Sequence, residues 1–399
     1  MLKIVGGVYR ERCLRPFWDE IYGSAGRAAR AIAHLGGEVE LHSHVDDAAV
    51  QAMAGIERLT VIATPINRVI GFNYQHGLAS PSIARATQSL PTLEVSGEKI
   101  VRYGMLDTEA VIHAKYAVYD PQNVRDLKPF RQNGSSADHL ALVLNRHEAK
   151  SLLSGSKLPP AEMAALLAQQ EQAEVVVIKM GPQGALVWHQ GASHQIPAYE
   201  TSRVWKIGSG DQFVANFAYA WLEEERNPVD AADRASRATA YYCQNRGFPG
   251  PADLDAYKPT PMEVSERFKG GRRPQVYLAG PFFTLGQLWV VEQARNALYE
   301  MGLDVFSPYH DVGLGSADEV VEQDVQGIHK CDLLLAIGDG MDPGTIFEVG
   351  YARSIGKPVI VYVENESTES VKMMVGTDCF MRNDFVSAIY QAAWVGAKL

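Results

Sequence analysis

The stretch DLLLAIGDGMDPGTIFEVGYA, Asp332–Ala352, decides how the C-terminal third of this chain folds. Asp332–Ile337 is apolar after its first residue and has strand length. Gly338–Asp342 is a turn-rich loop holding two acids, and from Gly344 the apolar residues recur at helical spacing. A strand that passes through glycines into a helix is half of a crossover unit, so the expectation is α/β architecture with a mostly parallel sheet. In open sheets of that kind ligands bind outside the carboxyl ends of the strands, where this loop falls.

The same alternation extends outward. Val276–Ala279, Asp304–Phe306 and Pro358–Val363 read as strands; Gln287–Glu300, Ala317–His329, Gly344–Ser354 and Asp384–Trp394 read as helices. Further upstream, Leu2–Val8, Leu59–Ala63, Leu140–Leu144, Val175–Lys179 and Ala185–Trp188 read as strands. Ser24–Leu35, Asp211–Glu224 and Asp230–Gln244 read as helices. Between the two series, Tyr257–Pro274 (YKPTPMEVSERFKGGRRP) carries three prolines, paired glycines and several charges, and reads as a linker with room for one short helix. At 399 residues the chain exceeds what one core usually serves. The expected division is a first domain over 1–256, a linker over 257–274 and a second domain over 275–399.

Composition is that of an ordinary globular protein, 46% hydrophobic and 21% charged, and the net charge of −10 argues against a general nucleic-acid binder. No stretch approaches the roughly 20 apolar residues of a membrane span, and Met1–Val8 reads as a first strand rather than a signal segment. Cys13, Cys243, Cys331 and Cys379 lie far apart without a CxxC spacing, which fits reduced thiols in a cytoplasmic protein. His42 and His44 would share a strand face; with no further ligands nearby, an ordinary exposed face is expected there rather than a metal.

Acids near the carboxyl ends of strands suit bond cleavage at a sugar. Such a site needs one carboxylate that stays ionised and attacks the anomeric carbon, and a second carboxyl group that delivers a proton to the leaving group. Glu348, read as lying in the first turn of its helix, would be kept ionised by the helix N-terminus, as a nucleophile requires. The same acid is also explained as simple compensation of the helix dipole.

Two motifs shift the weight between these readings. Val276-Tyr-Leu-Ala-Gly-Pro-Phe-Phe-Thr followed by Gln287, and Asp342-x-Gly-Thr-x-x-Glu348-x-Gly-Tyr-Ala, resemble the opening loop and nucleophile motif of the nucleoside 2-deoxyribosyltransferase family. The resemblance covers about 275–394 and implies a flavodoxin-like doubly wound parallel sheet. It implies Glu348 as nucleophile on C1′ and Tyr277 as the residue that positions it. Asp324 and Asp342 would bind the base and manage its proton. Gly280, Phe283, Gln287, Asp339 and Gly344 would line the substrate pocket, with no cofactor. The family often carries an asparagine near the C-terminus that reaches the sugar 5′-hydroxyl of a neighbouring subunit; Asp378 or Cys379 falls there. Transfer to a second base and hydrolysis therefore both stay open. Relatives that act on monophosphates carry a cation in the first loop, and Gly280–Gly286 has none, which favours a neutral nucleoside. Such domains commonly complete their sites across subunits, so a homo-oligomer is expected.

In the first series, Ile207-Gly208-Ser209-Gly210-Asp211 opens a helix. Backbone N–H groups at such a start can cradle an anion, and an acid beside them can take a proton from an attacking hydroxyl. Asn145-Arg-His-Glu148, Lys179-Met-Gly181-Pro-Gln-Gly184 and Gly23-Ser-Ala-Gly26-Arg27 accompany it. Together these resemble the ribokinase-like (PfkB) sugar and nucleoside kinases, which implies an α/β/α domain. The resemblance implies Asp211 as general base and Gly208, Ser209 and Gly210 as anion hole. Lys179, Gly181 and Gly184 would lie beside ATP, with Asn145 and Glu148 organising magnesium indirectly. Three departures stand out. Trp205 and Lys206 replace the usual Asp-Thr, Arg27 replaces an asparagine, and Glu11 stands for the aspartate that grips substrate hydroxyls. The fifteen residues between Gly7 and Gly23 allow only a reduced β lid. Two readings follow: a bifunctional salvage enzyme acting on small molecules, or a degenerate kinase-like domain that binds a nucleoside or nucleotide and regulates its neighbour.

Overall fold

The computed structural model describes residues 1–84, 90–122 and 127–399. The chain divides into two compact units, Met1–Thr201 with Trp205–Pro261, and Ser202–Val204 with Met262–Leu399.

The first unit is built on β1 (Leu2–Val5), β2 (Arg10–Arg15), β3 (Trp18–Ile21), β4 (Val39–Val45), β5 (Leu59–Pro65), β6 (Gly71–His76), β7 (Ser82–Ala84), β8 (Leu93–Tyr103), β9 (Ala110–Asp120), β10 (Ser136–Asn145), β11 (Val175–Lys179), β12 (Ala185–His189) and β13 (Ala192–Ile196). Nine of these make one sheet in the order β13-β12-β11-β10-β9-β8-β1-β4-β5. Its strands from β11 to β5 pair in parallel, and β12 and β13 close one edge as antiparallel strands. Val175, Val176, Val177 and Ile178 are all buried, the pattern of a strand covered on both faces.

A second sheet has the order β3-β2-β6-β7. The short interval after Gly7 supplies only the β2–β3 hairpin, as its length dictates. The sheet reaches four strands because β6 pairs in parallel with β2 and carries β7 with it. β4 lies between β1 and β5, and the face expected to be exposed at His42 and His44 is covered, His42 being half-buried and His44 buried. His42 meets Glu40 at 2.6 Å. Among the described residues no cluster of His, Cys, Asp or Glu could hold a metal ion, and no helix is long and apolar enough to cross a membrane.

The second unit is a five-stranded, all-parallel sheet of β14 (Gln275–Ala279), β15 (Asp304–Phe306), β16 (Leu333–Ile337), β17 (Val359–Tyr362) and β18 (Phe380–Arg382), in the order β15-β14-β16-β17-β18. The order reverses beside β14, so the carboxyl ends of β14 and β16 flank the switch point where a ligand crevice forms. Leu333–Ile337 is buried at every position, and the C-terminal helix Phe385–Lys398 is buried along nearly its whole length.

Candidate active sites

In the second unit three elements bring acids together. Tyr277, on the interior strand β14, is fully buried and stacks on Phe306 with ring centroids 5.4 Å apart. That contact fixes the ring and aims the phenol: Tyr277 Oη donates to Glu348 Oε1 at 2.6 Å. Gly327 allows the helix Ala317–Lys330 to close on the same ring, because a Cβ there would lie 2.4 Å from Phe306. Asp324, three residues earlier and on the same helix face, is thereby brought within electrostatic reach of Glu348. Its Oδ1 is buried without a hydrogen-bond partner among the described residues.

Glu348 lies on the helix Pro343–Ser354, in its second turn rather than the first. The dipole effect fades within the first turn, so the expectation that the helix start keeps this acid ionised does not hold. Burial pushes the Glu348 carboxyl up to about 7; the Tyr277 hydrogen bond opposes that shift and Asp324 and Asp342 add to it. Burial also raises Asp324. Tyr277 is driven far up by burial and by Glu348, so it remains a hydroxyl donor. Two acids biased toward their protonated forms around a buried tyrosine are suited to proton traffic near neutrality.

The remaining expected residues differ in availability. Asp342 is the N-cap of the Glu348 helix: its Oδ2 accepts from Thr345 N at 2.8 Å and Thr345 Oγ1 at 2.9 Å. Gly280 lies against Ile337, and Gly344 sits exposed beside Asp342. Phe283 is 70% exposed. Gln287 caps its own helix, its Oε1 accepting from Phe283 N and Thr284 N at 3.1 and 3.0 Å. Asp339 ties the loop after β17, accepting from Glu364 N, Asn365 N and Asn365 Nδ2. Of the two positions matched to the family asparagine, Cys379 is buried and Asp378 is exposed at a left-handed φ of 59°.

In the first unit a cavity of about 780 Å³ is lined by residues that include Glu11, Ser24, Gln122, Asn145, Glu148, Lys206, Gly208, Gly210 and Asp211. Asp211 lies in the first turn of the helix Ser209–Leu222, and both its oxygens are already engaged. Oδ2 accepts from Arg27 Nη1 at 2.7 Å and Oδ1 from Gln122 Nε2 at 2.6 Å. Arg27, wholly buried, also makes a two-point contact with Glu11. Its guanidinium packs against Gly208, whose φ is +75° and where a Cβ would fall 2.0 Å from Arg27 Nε. Asn145 and Glu148 form a reciprocal cap on the helix Arg146–Leu152, Glu148 N donating to Asn145 Oδ1 and Asn145 N to Glu148 Oε2. Lys179 Nζ donates to Asp120 Oδ2 at 2.8 Å, and burial pushes the Asp120 carboxyl up to about 7. Gly181 and Gly184 bound a short 3₁₀ turn after β11. With Asp120 and Asp211 paired to cations and Glu148 half committed to its cap, these residues do not assemble a direct magnesium site. Asp120 and Gln122 were not anticipated; the signal was an acid at the carboxyl end of β9.

Comparison with known proteins accords with this division. Residues 276–382 match the family model of nucleoside 2-deoxyribosyltransferases, and residues 119–252 match that of pfkB family carbohydrate kinases. Both are enzyme families. A 2-dehydro-3-deoxygalactonokinase of Haloferax volcanii is 36% identical over 109 residues, 27% of this chain; the match spans about a third (32%) of that protein. Ribokinase from Thermotoga maritima aligns over 64% of this chain and 98% of its own, with 15% identity and a TM-score of 0.50. A fructokinase variant from Vibrio cholerae, solved with fructose, ADP and potassium, aligns over 64% and 97% with 15% identity and a TM-score of 0.51. At that identity the two structures establish a ribokinase-like fold. The chain therefore joins a ribokinase-like fold to a segment, 276–382, that matches the nucleoside 2-deoxyribosyltransferase family model.

Proposed function

We propose that the second unit cleaves the N-glycosidic bond of a nucleoside with Glu348 as nucleophile. The observation that carries the reading is the 2.6 Å hydrogen bond from Tyr277 to a half-buried Glu348 that has no cationic partner among the described residues. Glu348 bonds to C1′ as the C1′–N bond breaks, and the electron pair leaves with the base, which takes its proton from Asp324. Asp342 binds the departing base, and Gly280, Phe283, Gln287, Asp339 and Gly344 surround it. A second base or water then attacks C1′, frees Glu348 as carboxylate and returns a proton to Asp324. The test is chromatography of ribo- and deoxynucleosides, and their monophosphates, with and without an acceptor base. Free base from the wild type and none from Glu348→Ala is expected; equal release from both proteins sinks the reading.

The Arg27 pairing favours a second reading for the first unit, in which it binds a phosphorylated small molecule such as ATP or ADP without transferring phosphate. Both Asp211 oxygens already accept hydrogen bonds, from Arg27 and Gln122, and Arg27 fills the space between Asp211 and Glu11 where an attacking hydroxyl would lie. Steady ADP formation from ATP that disappears in Asp211→Asn would overturn it. A cytoplasmic, homo-oligomeric protein of nucleoside salvage is the setting these readings suit.

A further inference from the structure

The link between β8 and β9 is shorter than such a pairing normally takes. The two strands pair in parallel along their length, from Leu93 opposite Ala110 to Tyr103 opposite Asp120. Parallel neighbours ordinarily need a crossover of a dozen or more residues, usually a helix that covers one face. Here the link is residues 104–109, with no helix in it. All six of them line a cavity of about 250 Å³, which shares only Gly104 and Leu106 with the larger cavity of this unit. Arg102 lines the same cavity and is 4% exposed. Its hydrogen bonds all leave from Nη1 and go to neutral acceptors: Phe130 O at 3.1 Å, Asn133 Oδ1 at 3.4 Å and Ser135 Oγ at 3.0 Å. Nε is buried without a partner, and Nη2 has none among the described residues. The guanidinium carbon lies 4.7 Å from the Tyr119 ring centroid and 5.7 Å from that of Phe130. Arg27, the other buried guanidinium of this kind, meets two carboxylates; Arg102 pairs with none among the described residues. Glu109 is the acid that acts on it electrostatically, and Lys128 already pairs with Glu109. Asp107, the other acid lining the cavity, is not among the groups that act on Arg102, and Tyr9 Oη donates to its Oδ1 at 3.2 Å. Two cations against one acid leave one positive charge around Arg102. Burial pushes its guanidinium down, the direction expected of a cation whose surroundings do not compensate it.

We propose that this cavity binds a small organic carboxylate, held by the Nε–Nη2 edge of Arg102 with its apolar part against Met105, Leu106, Tyr119 and Pro121. That edge is a planar fork of N–H groups, the shape that a carboxylate meets with both oxygens. One negative charge completes the balance with Lys128 and Glu109 and gives the buried guanidinium the counter-charge it lacks. A dianion such as phosphate would overshoot that balance and leave the apolar wall unused. The volume lies below that of pockets for drug-sized ligands, which limits the occupant to a small molecule. The site is distinct from the cavity around Asp211 and stands whether or not that cavity takes a phosphorylated ligand.

Calorimetric titration of the full chain with benzoate, benzamide and inorganic phosphate tests this. Benzoate is expected to bind saturably, one per chain, with a Kd of about 1 mM or tighter. Benzamide, which has the same ring without the charge, and phosphate, which has charge without the ring, should each bind at least about tenfold more weakly. Arg102→Lys keeps the charge but not the fork and should weaken benzoate by about tenfold. Arg102 also anchors residues 130–135, so the melting temperature of the variant is measured alongside. If the variant does not fold, crystals of the wild type soaked in para-bromobenzoate decide the matter, with the bromine signal expected in the cavity beside Arg102. No binding of benzoate, equal binding of benzamide, a preference for phosphate, unchanged affinity in a folded Arg102→Lys, or a bromine signal only elsewhere overturns the proposal.

Discussion

Each unit places an acid at the start of a chemically plausible site, and the two acids are treated in opposite ways. Glu348 meets a phenol and two further acids, so nothing nearby neutralises its charge. Asp211 meets a fully buried guanidinium and an amide, and both its oxygens are occupied. Gly208-Ser-Gly-Asp211 and Asp342-x-Gly-Thr-x-x-Glu348 are both present in sequence. The two acids differ one layer out, in whether the packing neighbour is a hydroxyl or a cation. A hydroxyl leaves a carboxylate able to form a bond, whereas a guanidinium consumes its charge.

The sharpest break of this contrast is Glu348→Ala, which should lower base release by about a thousandfold or more, read as kcat for the nucleoside that wild type cleaves. Loss of less than tenfold would place the nucleophile elsewhere. Next in size is Arg27→Asn. Removing the guanidinium leaves Glu11 and Asp211 buried without a counter-charge, a cost of about 3–5 kcal/mol, measured by urea unfolding at neutral pH. If stability is unchanged, the pairing is not what holds that part of the unit together. A smaller effect is expected from Tyr277→Phe. With Glu348 near 7, wild-type activity should rise with pH through about that value, because the attacking form is the carboxylate. The Tyr277 hydrogen bond pulls the Glu348 carboxyl down, so its removal should move the rising limb to higher pH. The rate at pH 7 should then fall by about tenfold. A limb that stays in place would show that the phenol does not act on this carboxylate.

The second unit was the more legible. Its strands are short apolar runs bounded by glycines, and its helices alternate with them, so β14, β15, β16 and β17 fall where the sequence pattern puts them. β18 and the helix Thr368–Gly376 did not stand out: three exposed or half-exposed residues make a weak strand signal. In the first unit, β8 and β9 were missed although each runs for eleven residues. Their outer halves alternate buried with exposed and carry charges such as Glu94, Glu98 and Lys115, which masks the apolar halves that enter the sheet. The four-stranded sheet escaped for another reason, since β2 and β6 are sixty residues apart and their pairing is a tertiary fact.

Site residues followed the same division. Tyr277 stands on a strand of one small sheet, and Asp324 and Glu348 on two helices connected to its strands, where strand ends predict proximity. Arg27 could be marked as an oddity from sequence, but its meeting with Asp211 spans 184 positions and depends on how the helix Gly23–His34 packs. Asn145 and Glu148 illustrate the converse. Their spacing is that of a reciprocal helix cap, and the structure uses them as one.

The contact between Gly208 and Arg27 also orders the history such a pair can have. The guanidinium occupies the volume that any side chain at position 208 would need, and the left-handed backbone there resists a side chain in any case. Arginine at 27 can enter only a lineage in which 208 is already glycine. Once it has entered, 208 can no longer drift. The Arg27 side chain thus acts as a ratchet: it fits beside the glycine at 208, then removes the routes by which that turn could change.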